Sequence, residues 1–234
     1  MQKLIASGCS WTRYRSHSTW PEVLSQKLGM ECVNLGASAA GNEYIFSSIL
    51  DEVMHTPHSK IGLVVAMWSE WIRWDFEDKE TKRWNHLSSG ENELNGDLHD
   101  KFTATNRTLR YIYMFQELME HKNIPYMHIQ GIKPYWHPIE ERNTTKLSTL
   151  YLKDVLGNIY TEQINEDKFI NWPPFLELGG NYMDFILNEL DPDEKNLYVL
   201  PHGTGAHPNE EGHKVMADYF LKEIEKEYGN LQIN

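Results

Sequence analysis

Two short stretches near opposite ends of the chain carry residue types suited to act together as a nucleophile and its base. The first, Ser7-Gly8-Cys9-Ser10-Trp11-Thr12, directly follows the apolar run Leu4-Ile5-Ala6. The second, His207-Pro208-Asn209-Glu210-Glu211-Gly212-His213, directly precedes an amphipathic helical pattern. A serine hydroxyl is a poor nucleophile alone and needs an adjacent base. Ser10 lies just past a buried-strand pattern, on a glycine-containing turn that exposes its side chain and leaves its N–H free. His207 precedes Pro208 and Asn209, a rigid turn at the mouth of a helix, from which its ring can reach the sheet edge. The pairing predicts proton abstraction from Ser10 by His207. His213 falls inside the helix and reads as structural.

The elements that must position these residues follow from hydrophobic period and punctuation. Leu4–Ala6 reads as a short buried strand. Trp20-Pro21-Glu22 opens a helix with Thr19 as N-cap, Pro21 in the first turn and Gly29 as the stop. Cys32–Leu35 is a second strand, and Tyr44, Ile45, Ile49 and Val53 repeat at helical spacing to about His55. Ile61–Met67 is a nearly unbroken apolar run, as expected of a parallel strand covered on both faces. Asn106 to Asn123 is helical, Tyr126–Gln130 a fourth strand and Leu197–Leu200 a fifth. Asn209 caps the final helix, whose apolar face is Val215, Met216, Tyr219, Phe220 and Ile224. Two stretches, about 68–105 and about 134–190, read as irregular insertions. Alternating strands and helices predict a parallel sheet with helices on both faces and a ligand site at the carboxyl ends of its strands.

These motifs resemble those of the SGNH/GDSL hydrolases, and the resemblance covers most of the chain. That family has Gly-Asp-Ser-x-Thr where this chain has Gly8-Cys9-Ser10-Trp11-Thr12. It ends in Asp-x-x-His, often continued as His-Pro-Asn-x-x-Gly-His, which residues 207–213 match. The resemblance implies one α/β domain over residues 1–234, a three-layer α/β/α sandwich of flavodoxin-like type around a central parallel sheet of about five strands. It also implies a serine esterase that cleaves a small acyl ester through an acyl-enzyme, with Ser10 as nucleophile and His207 as base. The family's oxyanion donors are the serine N–H, a backbone N–H in a second block and an asparagine side chain in a third. The second block here is Asn34-Leu35-Gly36-Ala37-Ser38-Ala39-Ala40-Gly41-Asn42, in which Ala39 or Gly41 would supply the N–H and Asn42 resembles the asparagine of a recurrent variant.

Two positions depart from that pattern. Thr204 stands three residues before His207, where the family has its orienting aspartate, and 201–206 contains no carboxylate. Thr204 or a backbone carbonyl would hold the ring in a Ser–His dyad, or Asp191, Asp193 or a more distant carboxylate would substitute. The third block reads Trp68-Ser69-Glu70-Trp71-Ile72-Arg73-Trp74, with Ser69 as the best side-chain donor. Arg73 either binds a substrate anion or, as favoured here, pairs with Asp75. The departures predict lower activity than a full triad gives, or a need for a reactive ester. They also motivate an alternative, a non-catalytic SGNH-like carbohydrate-binding or structural domain.

Composition narrows the rest. The 234 residues carry a formal net charge of -12, which argues against nucleic acid and anionic membrane surfaces as partners. The expected partner is a small-molecule or carbohydrate ester; oligomeric state stays open. Cys9 and Cys32 make no disulfide framework and read as reduced thiols, and the side chain of Cys9 should point opposite to that of Ser10. The start is too short an apolar run for a signal peptide, and no stretch approaches the ~18 apolar residues of a membrane span. A soluble protein, cytoplasmic or otherwise, is expected. His202, His207 and His213 lack the i, i+4 spacing of a helical zinc pair, and no phosphate-loop or dinucleotide motif occurs, so no cofactor or metal is expected. Eight Trp, twelve Tyr and eight Phe suit either a ligand groove or the packing of long loops; the groove reading suggests an O-acetyl sugar.

Overall fold

A computed structural model of the chain describes residues 1–87, 101–134, 153–174 and 207–229. Its centre is a five-stranded sheet: β1 (Lys3–Ser7), β2 (Glu31–Asn34), β3 (Ile61–Trp68), β6 (Tyr126–Gln130) and β7 (Phe169–Ile170). The order is β2-β1-β3-β6-β7, and every pairing is parallel. All eight residues of β3 are buried. The pleat sends alternate side chains to opposite faces, and the two cores follow that alternation. Leu4, Ala6, Leu63, Val65, Met67, Met127 and Ile129 face one cluster, completed by α1 (Trp20–Leu28) and α4 (Glu210–Tyr228). Ile5, Val64, Ala66 and Trp68 face the other, completed by α2 (Asn42–His55) and α3 (Lys101–His121). The result is the expected three-layer α/β/α architecture.

Local chemistry explains the element ends. Glu22 accepts hydrogen bonds from the Thr19 N–H at 2.8 Å and the Thr19 hydroxyl at 2.6 Å, and Gly29 closes α1 in the left-handed region at φ 65°. Asn209 caps α4 by accepting from the Gly212 N–H at 2.8 Å. Trp20 meets Phe220 edge-on at 5.2 Å, locking α1 to α4.

Two features differ from expectation. The fifth strand is Phe169–Ile170, inside a stretch read as irregular; Leu197–Leu200 lies outside the described residues. A hairpin, β4 (Trp74–Glu77) with antiparallel β5 (Trp84–Leu87), occupies a stretch read as loop. Four tryptophans of that stretch pack within the fold, while Phe76 is exposed. Trp68 and Trp71 are fully buried, Trp84 meets Tyr44 edge-on, and Trp74 lies 3.7 Å beneath the Arg107 guanidinium. Tyr135 and Trp136 lie outside the described residues. Among the described residues, no helix is long and apolar enough to cross a membrane.

Two histidines are buried as neutral rings. His128 accepts from Trp68 Nε1 at 3.1 Å inside an aromatic cage, and burial pushes its pKa down to about 3. His213 accepts from the Trp20 N–H; burial, together with His17, Arg15 and His207, pushes it down to about 3. Unfolded, each ring takes up a proton near the ordinary value of 6.5. Between that value and about 3 the unfolded state binds more protons, so stability falls as pH is lowered. The urea midpoint should drop from about pH 6.5 to about pH 5, and His128→Gln should flatten that slope. A wild-type midpoint independent of pH across this range would contradict the two neutral rings.

Candidate active site

Register brings the site together. Ser7 pairs with Ala66, so Ser10 and Ser69 each lie three residues beyond a paired position, at the same edge of adjacent strands. The β2 loop joins them, because the Ala37 N–H donates to the Gly8 carbonyl at 3.0 Å. After β1 the chain turns tightly: the Thr12 and Arg13 N–H groups both donate to the Cys9 carbonyl. Gly8 is required at this turn, since a Cβ there would run into the Thr12 side chain. Asn34 ties the turn to β2 and α1, its amide donating to the Thr12 carbonyl and to Glu22 Oε1, both at 2.7 Å.

Ser10 and His207 meet: Ser10 Oγ lies 2.7 Å from His207 Nε2, across 197 positions of sequence, with both residues half-buried. Cys9 is buried in the α1–α4 core instead. Burial and the nearby Glu22 carboxylate push the Cys32 thiol up to about 12, which keeps it protonated. Thr204, Asp191 and Asp193 lie outside the described residues. Among the described residues, no three His, Cys, Asp or Glu side chains group to hold a metal ion.

The expected oxyanion donors fall in two groups. Neither the Ser10 N–H nor the Ala39 N–H has an acceptor among the described residues. Ala39 sits at φ 61°, a conformation costing an L-residue about 1 kcal/mol and retained only where surroundings impose it. Gly41 and Asn42 are committed within the fold. The Gly41 N–H donates to Asp75 Oδ1 at 2.8 Å. Asn42 accepts from the Ser69 N–H at 2.8 Å and donates to the Ser69 carbonyl and the Thr108 hydroxyl. Ser69 is itself fully buried, and its Oγ accepts from Arg73 Nη1 at 2.9 Å.

Arg73 pairs with Glu70 at 3.2 Å, not with Asp75 as expected. Asp75 serves α2 instead. Gly41, the N-cap, has no side chain, and the Asp75 carboxylate takes its N–H and the Tyr44 N–H at 2.9 Å, with His86 Nδ1 at 2.7 Å. A negative group at a helix N-terminus satisfies otherwise orphaned donors and complements the dipole. A Cβ on Gly41 would press against Asp75 and Arg73, so this glycine is needed for close approach. The contacts of Asp75 with Gly41 and Tyr44, and of Arg73 with the Ala40 carbonyl, join segments more than 30 residues apart, so no local pattern in the sequence marks them.

No family model and no curated protein sequence matches the chain. Its fold is similar to that of several solved structures. An acetyl xylan esterase, AlAXEase, matches at TM-score 0.55 with 13% identity, over 94% of this chain and 98% of the other. LAE5, an alpha/beta hydrolase enzyme from the metagenome of Lake Arreo, Spain, matches at TM-score 0.53 with 16% identity, over 99% and 97%. A member of the lipolytic protein G-D-S-L family from Veillonella parvula matches at TM-score 0.50 with 16% identity, over 95% and 97%. The chain therefore has an SGNH/GDSL hydrolase-like fold, in a divergent form.

Proposed function

We propose that this protein is a serine ester hydrolase acting through an acyl-enzyme, and the observation that carries the reading is the 2.7 Å contact between Ser10 Oγ and His207 Nε2. Ser10 Oγ attacks the ester carbonyl carbon while its proton passes to His207 Nε2. The tetrahedral oxyanion is held by the Ser10 and Ala39 N–H groups and by the Ser69 hydroxyl. His207 then gives its proton to the departing alcohol as the carbon–oxygen bond breaks. Water, deprotonated by the same ring, attacks the acyl-enzyme and releases the acid, restoring Ser10. Thr204 occupies the sequence position of the family's orienting acid, three residues before His207. The substrate class is a small acyl ester, and the fold likeness to an acetyl xylan esterase supports an O-acetyl group on a carbohydrate.

Intact mass after incubation with a fluorophosphonate probe tests the pair. Wild type should carry one adduct, absent from Ser10→Ala and His207→Ala, with both variants melting close to wild type. No adduct, under conditions that label a known serine hydrolase, would refute the dyad and leave a silent carbohydrate-binding scaffold. At Ala39 the donor is backbone, so Ala39→Gly, which adopts positive φ freely, should keep the labelling rate. A large loss of rate would remove Ala39 from the oxyanion site.

A further inference from the structure

Ser69 is held at every polar atom. Its N–H donates to Asn42 Oδ1 at 2.8 Å, and its carbonyl accepts from Gln130 Nε2 at 3.0 Å and Asn42 Nδ2 at 3.4 Å. Its Oγ accepts from Arg73 Nη1 at 2.9 Å. The same Nη1 reaches the Ala40 carbonyl at 3.3 Å. The peptide plane between Ala40 and Gly41 is thus gripped at both ends, its carbonyl by Arg73 and its N–H by Asp75. That plane lies one residue beyond Ala39, the residue held at positive φ.

Resting on the reading of Ser10 as nucleophile, we propose that Arg73 is the positioning residue of the oxyanion hole, setting both the Ser69 hydroxyl and the Ala39 turn. A guanidinium only donates. By occupying one lone pair of Ser69 Oγ, it obliges the Ser69 hydroxyl to point its own proton elsewhere. The charged donor also polarises that O–H and strengthens it toward an acceptor. A serine so polarised takes the place of the family's asparagine side chain. Arg73 is itself fixed. Its Nε bonds Glu70 Oε2 at 3.2 Å, and its carbonyl accepts from Arg107 Nη2 at 2.6 Å. Arg107 also holds the Trp71 carbonyl at 3.1 Å and lies against the Trp74 ring. The segment from Ser69 to Asp75 thus forms a rigid brace between the β2 loop and the end of β3.

A double-mutant cycle on para-nitrophenyl acetate hydrolysis and fluorophosphonate labelling separates positioning from simple stabilisation. Arg73→Gln should lower kcat and the labelling rate by about 10- to 100-fold with KM little changed, and Arg73→Lys should recover part of the loss. In a Ser69→Ala background, Arg73→Gln should cost distinctly less. Equal losses in both backgrounds, or a lowered melting temperature with kcat untouched, would overturn the role of Arg73 while leaving Ser10 as nucleophile. If wild type reacts no faster than Ser10→Ala, the underlying reading fails and the proposal with it. Should Arg73→Gln not fold because the buried Glu70 loses its ion pair with Arg73, Glu70→Gln/Arg73→Gln replaces it in the same cycle.

Discussion

The burial of β3 governs the rest of the molecule. A strand enclosed along its whole length has its backbone groups satisfied by neighbours on both sides, here β1 and β6. Both neighbours run parallel to it, and parallel pairing needs long crossovers, which helices supply. Helices on both faces then bury the alternate side chains of β1, β3 and β6 in two separate cores. One consequence is chemical: every parallel strand releases its chain at the same edge. Ser10 and Ser69 arrive there in register, and His207, just ahead of the final helix that Trp20 and Phe220 lock in place, meets Ser10.

Polar groups at this edge are used economically. In the turn after β1 the Cys9 carbonyl accepts from the Thr12 and Arg13 N–H groups, while the Gly8, Ser10 and Thr12 carbonyls accept from Ala37, Arg15 and Asn34. Asp75 and Glu70, the two carboxylates between Ser69 and Asp75, are nearly enclosed and matched, one to helix N–H groups and His86, the other to Arg73. Buried charges are tolerated only when paired and hydrogen-bonded in this way. A dense, satisfied hydrogen-bond network surrounds Ser69.

Much of this was legible in the chain itself, for local reasons. Thr19, Pro21 and Gly29 mark α1 because capping and stopping are set by neighbouring residues, and Asn209 marks α4 likewise. The apolar run of β3 identifies a doubly covered strand without any partner in view. Ser10 and His207 could be paired because each adjoins a clear element. The β4–β5 hairpin was hidden because Lys79, Glu80, Lys82 and Arg83 crowd its turn and mask the alternation of its short arms. β7 is two residues long and leaves no period to detect. The partners of Arg73, Asp75, Gly41 and Asn42 were not legible, since composition does not tell which of several nearby polar groups comes to face which; Arg73 turns to Glu70, three residues back, because Asp75 is already taken by α2.

In the proposed reaction Ser10, activated by His207, carries the acyl group during turnover. The direct measurement is an acid quench in the first turnovers of an activated acetyl ester, followed by peptide mapping of the modified residue by mass. An acetyl group is expected on the peptide containing Ser10, located on Ser10 itself, and absent in His207→Ala. An acetyl group found on another side chain, or turnover with no covalent acyl species in wild type, would contradict the proposed reaction.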